Sequence, residues 1–105
     1  MAKVRLNTNL INDWKSFHQL CKEEFNFPDF YGMNLNAWID CLSYINDDGD
    51  GMSRFNLAKG EMLHIEVSDT EDFISRLPEI LDALVECCAF VNRRYESPVL
   101  SLVFL

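Results

Sequence analysis

The sequence predicts an α/β fold: a three-stranded parallel sheet packed with helices in two layers. Three observations carry that prediction. Apolar and polar residues alternate near residues 3–6 and again over 61–67, and an almost unbroken apolar run closes the chain at 99–105. Between these stretches the apolar spacing lengthens to three and four, the period of an amphipathic helix. Strands separated by helical crossovers run parallel, because a tight hairpin cannot join them.

Taken in order, Val4 and Leu6 alternate with Lys3 and Arg5 and form a first strand. Asn12 or Asp13 caps a first helix, whose apolar stripe is Trp14, Phe17, Leu20, Cys21 and Phe25. Pro28 and Gly32 break the chain into a loop, and Asn34 caps a second helix by accepting from a first-turn amide. The Asn46 to Gly60 segment, rich in Asp, Asn and Gly, is a long loop. Leu63, Ile65 and Val67 mark a second strand, and Asp69 or Thr70 caps a short helix running to Ser75. Pro78 opens a longer helix at its first position, where the missing amide hydrogen costs nothing. Its stripe is Leu81, Leu84, Val85, Cys88 and Val91, and Arg93 and Arg94 suit its C-terminus. After Pro98, the run Val99 to Leu105 is apolar enough to predict a strand buried on both faces.

At 105 residues and 49% hydrophobic content, the chain has material for one core, so residues 1–105 are expected to form a single domain. Seventeen acidic residues against nine basic ones give a net charge of −8. That field opposes binding to a nucleic-acid backbone and attracts a basic protein partner. The first residues lack the apolar stretch of a secretory signal and nothing later has the length of a membrane span, so a cytoplasmic location and no membrane contact are expected. Cys21, Cys41, Cys87 and Cys88 form no C-x-x-C pair, which favours reduced, buried thiols over a redox or zinc site.

The stretch Phe27 to Leu42 concentrates the functional signal. On a wheel of about 100° per residue, Leu35, Trp38, Ile39, Leu42 and Ile45 share the core arc. Asn36, Asp40 and Tyr44 fall on the opposite side, with Ala37 and Ser43 beside them. This polar stripe begins next to the loop residues Phe30, Tyr31, Gly32, Met33 and Asn34. Together they predict one protein-binding patch, with aromatic and methionine contact area surrounding a single carboxylate.

The same segment, Phe27-Pro28-Asp29-Phe30-Tyr31-Gly32-Met33-Asn34-Leu35-Asn36-Ala37-Trp38-Ile39-Asp40-Cys41-Leu42, resembles the signature of the barstar family, small acidic inhibitors of barnase-type ribonucleases. The resemblance implies a barstar-like domain whose loop and second helix plug a nuclease active site, one helix aspartate replacing a substrate phosphate. By position that aspartate is Asp40. Phe30 and Tyr31 match the loop aromatics, Gly32 the turn glycine and Asn34 the helix start. Two positions depart from the pattern: Asn36 stands where the family has a second aspartate, and Trp38-Ile39 replaces leucine-tryptophan. The implied partner is a basic ribonuclease or related toxin, met by a protein favoured to be a monomer and needing no cofactor. The alternative is a barstar-fold interaction or adaptor module with a non-nuclease partner.

Other constellations are weaker. Asn46, Asp48, Asp50 and Gly51 imitate the start of a calcium loop, but Leu57 occupies the position that requires a bidentate Glu. His18 and Cys21 are spaced to share a metal, yet no second ligand pair accompanies them. His18 and His64 are the only histidines, and no nucleophile-base pair or Gly-rich phosphate loop is present. No enzyme activity is expected. Glu66, Asp69, Glu71, Asp72, Glu79, Asp82 and Glu86 form an acidic stretch, most simply a solvated face.

Overall fold

The alternation of Val4 and Leu6 with Lys3 and Arg5 separates a buried from an exposed side of the first strand. The computed structural model, which describes residues 2–46 and 52–105, places β1 (Ala2–Leu6), β2 (Leu63–Val67) and β3 (Leu100–Phe104) in one parallel sheet of order β1-β2-β3. The register sets Val4 beside Ile65 beside Leu102, and Leu6 beside Val67 beside Phe104. The predicted α/β class and parallel three-stranded sheet are therefore present. The helices are α1 (Trp14–Phe25), α2 (Leu35–Leu42), α3 (Thr70–Arg76) and α4 (Pro78–Asn92), with a short 3-10 turn at Thr8–Leu10.

Both layers follow from the strand pattern. Val4, Leu6, Leu63, Ile65, Val67 and Leu100 are buried in a common core with Phe17, Phe25, Trp38, Phe73 and Leu84. The residues between them, Lys3, Arg5, His64, Glu66, Ser101 and Val103, line the other sheet face, and none is buried. The helices start where the caps predict. Asp13 accepts from Ser16 N in a reciprocal capping box, and Asn34 accepts from Ala37 N. Asp69 precedes α3 in a left-handed conformation and makes no side-chain cap; its carboxylate instead accepts from Asn9 Nδ2 at 3.0 Å. Arg76 joins α3 to the start of the chain by donating to the Ile11 and Thr8 carbonyls at 3.0 Å.

Three packing expectations are corrected. Trp14, expected in the α1 stripe, opens that helix and is 40% exposed, its ring stacked on His18. Val85 is exposed, and Ile80 and Cys87 are buried in its stead, because α4 packs against α2, α3 and β3 together and its buried arc rotates accordingly. In β3, expected to be covered on both faces, only Leu100 is buried. It is the last strand in the sheet order, and the helices cover one face only.

The described part of the Asn46 to Gly60 loop is pinned to the core. Arg54 N donates to Phe25 O at 2.8 Å, Leu57 N donates to Ile45 O at 2.9 Å, and the Leu57 side chain is buried. Asp48, Asp50 and Gly51 lie outside the described residues. The burial of Leu57 leaves no ligand at the last position of the calcium-loop imitation.

Candidate functional site

Loop and helix are joined by a compact set of local bonds. Tyr31 N donates to Pro28 O at 2.9 Å and closes a turn that Pro28 begins. Asn34 then works in both directions: Oδ1 accepts from Ala37 N at 2.8 Å, and Nδ2 donates back to Gly32 O at 3.1 Å. A Cβ on Gly32 would lie 3.1 Å from that same Nδ2, so the glycine supplies room for the cap. The left-handed residue of the loop is Met33, at φ 56°. Non-glycine residues seldom adopt this conformation, and here the turn and the cap on either side hold it.

This framework divides the predicted patch. Phe30 is 74% exposed, while Tyr31, predicted to lie beside it on the surface, is 5% exposed. The Tyr31 ring packs 4.7 Å from that of Phe27, and its hydroxyl lies 2.6 Å from Nδ1 of the buried His18. Burial explains the correction: the Phe27 and Tyr31 rings together close one end of the core, and His18 gives the phenol its polar partner. Desolvation raises the Tyr31 pKa and lowers that of His18, so both groups stay neutral. A neutral His18 can accept a hydrogen bond from the phenol at Nδ1.

The α2 residues divide as the wheel predicts. Trp38 and Leu42 are buried, with Cys41 beside them and Ile45 just past the helix end. Leu35 and Ile39 are half-buried. The indole Nε1 of Trp38 has no oxygen or nitrogen acceptor. It faces the Cys21 thiol, a weak acceptor whose own pKa desolvation pushes up to about 12. On the outer side Asn36, Asp40 and Tyr44 are all exposed, with Ala37 and Met33 half-buried between them and the loop. The Asp40 carboxylate has no hydrogen bond or ion pair among the described residues, where the one ion pair is Arg76 with Asp72.

Neighbours that the sequence did not assign to the patch flank it at both ends. Trp14, Lys15, His18, Met33, Asn34 and Leu35 line an open groove of about 420 Å³. At the other end Ser43, Tyr44, Asn46, Arg94 and Tyr95 surround a cleft of about 370 Å³, and the Tyr95 hydroxyl donates to the Ser43 carbonyl. The signal for Trp14 was its i, i+4 spacing from His18; nothing local ties Arg94 and Tyr95 to Tyr44. All four cysteines are free and buried. No cluster of three or more potential metal ligands occurs among the described residues, and no helix there is long and apolar enough to cross a membrane.

A solvent-facing carboxylate on a fixed helix that follows an exposed loop aromatic is equipped to enter a basic pocket and form charge-assisted hydrogen bonds there. The family model described as Barstar (barnase inhibitor) matches residues 1–104.

Proposed function

The chain belongs to the barstar family of barnase inhibitors, and from that premise we propose that it neutralises a small basic ribonuclease, or a related toxin, by occluding the active site. The family consists of inhibitors, not enzymes. The observation that carries the proposal is the exposed carboxylate of Asp40, unpaired among the described residues, which lies between Asn36 and Tyr44 on the helix that the Phe30 loop leads into.

A ribonuclease must stabilise phosphate charge with Arg, Lys and His. Asp40 meets those groups with a carboxylate that contains no scissile ester, so the inhibitor binds and is not cleaved. Phe30 and Met33 supply apolar contact around the charge, while Tyr31 holds the loop from within. The net charge of −8 attracts the basic enzyme from a distance and makes association sensitive to salt. Four buried, free thiols suit a cytoplasmic setting.

The test is inhibition of RNA cleavage across a panel of barnase-type ribonucleases, with wild type and Asp40→Ala compared by titration. Removing one partner of a buried charge pair costs about 2–5 kcal/mol, a range drawn in part from the barnase–barstar pair itself, or roughly 30- to 5,000-fold in affinity. Equal inhibition by Asp40→Ala would remove Asp40 from its role. Barnase itself should be inhibited poorly, because Asn36 lacks the charge of the family aspartate, and Asn36→Asp should improve that inhibition. The same neutral Asn36 favours a second reading, an adaptor with a non-nuclease partner. That reading is selected if no enzyme of the panel is inhibited while an Asp40-dependent partner is still captured.

A further inference from the structure

The two edges of the sheet are finished differently. Ser68 N donates to Leu6 O, so the even residues of β1 direct their backbone groups at β2. The odd residues, Lys3 and Arg5, therefore carry the outer edge. Both are exposed and charged, the usual protection of an edge strand against another chain.

On β3, Val99 O accepts from Leu63 N and Leu105 N donates to Val67 O. The odd residues thus face β2, and Leu100, Leu102 and Phe104 direct their N–H and C=O groups outward. The first of these is closed by a side chain. Asn92 Oδ1 accepts from Leu100 N at 2.9 Å, and its Nδ2 donates to Leu100 O at 3.0 Å. The outward groups of Leu102 and Phe104 have no such partner among the described residues. The strand, Leu-Ser-Leu-Val-Phe, contains no charge and no proline, and Phe104 is 53% exposed.

We propose that this edge pairs with the same edge of a second copy, antiparallel about a two-fold axis at Val103, joining two three-stranded sheets into one. In that register Leu102 lies opposite Phe104 of the second copy, and each outward N–H meets an outward C=O. The two apolar side chains of each pair share the helix-covered face, and Val103 meets its own counterpart on the other face. The strand carries no charge, so pairing it with itself sets no like charges across the axis. Antiparallel self-pairing also closes, whereas parallel addition would leave a free edge at each step. The interface is independent of the nuclease reading, since β3 holds none of the residues assigned to that patch, and it departs from the monomer that the sequence favours.

Because each copy carries −8, added salt screens their repulsion and strengthens the dimer, opposite to the expected effect of salt on binding a basic enzyme. The experiment is sedimentation equilibrium of the full chain at low and high salt, up to about 1 mM protein. The expected result is a monomer-dimer equilibrium that tightens with salt. Leu102→Pro removes an outward N–H at an edge position, where proline is tolerated. Val103→Lys sets two like charges face to face without touching the backbone. Each variant should weaken dimerisation several-fold while keeping the wild-type circular dichroism. Should Leu102→Pro fail to fold, Val103→Lys decides. A wild type that stays monomeric throughout, a dimer that weakens with salt, or a folded Val103→Lys that dimerises like wild type would each overturn the proposal.

Discussion

Phe30 is 74% exposed, and Tyr31, the next residue, is 5% exposed. One ring stands in solvent; the other packs on Phe27 and bonds to His18. The same division continues through α2, where Trp38 and Leu42 point inward and Asn36 and Asp40 outward. Under the proposed function, a carboxylate that enters a partner's pocket gains by being held beforehand, because ordering it on binding subtracts from affinity. The buried half of the segment does the holding. Mutations on the two halves should therefore separate into those that change stability and those that change affinity.

The largest expected effect tests the buried half. Trp38 is fully buried and meets Phe25 edge-on at 5.9 Å, so Trp38→Ala should cost about 3–5 kcal/mol in urea denaturation. Asp40→Ala should do the reverse: the large affinity loss described above, with stability within about 0.5 kcal/mol of wild type. If Asp40→Ala also unfolds the protein, the two halves are not separable.

Tyr31→Phe sharpens the boundary between them. It keeps the ring, removes the hydroxyl and leaves His18 Nδ1 without a partner, which should cost about 1–3 kcal/mol of stability. Its effect on inhibition should follow only from that loss. A drop in affinity without a drop in stability would return Tyr31 to the interface.

The smallest effect is a dependence on pH. Burial depresses the folded-state pKa of His18 below 6.5, so the unfolded chain takes up the proton first. The stabilising contribution is complete above the unfolded value and is lost as pH falls through the depressed one. Urea midpoints should therefore decline on acidification below about pH 6.5, and His18→Gln should flatten that part of the profile. An unchanged slope in His18→Gln would assign the acid sensitivity to other groups.

Much of this was legible in the chain. The caps at Asp13 and Asn34, the start of α4 at Pro78 and the inward face of β2 follow from local hydrogen bonding and from periods of two and 3.6. The division of Asn36, Asp40 and Tyr44 from Trp38 and Leu42 was readable for the same reason. Tyr31 was not, because a loop has no period, and two adjacent aromatics give no sign of which turns inward. Nor was the exposure of Trp14, since a stripe does not show where its helix leaves the core. In the loop, glycine marked the turn without showing that Met33 takes the left-handed conformation, or that Gly32 is needed for its small size beside Asn34.

By itself the sequence determined the class of fold, the order of its elements and the outward stripe of α2, because each depends on residues within a few positions of one another. The tertiary structure decided which loop aromatic faces solvent, which side chains flank the patch and that β3 ends the sheet. Those outcomes depend on residues far apart in the chain, such as His18 with Tyr31, Arg94 with Tyr44, and Asn92 with Leu100. An apolar run looks the same in a central strand as at an edge, and only the placement of its neighbours tells the two apart.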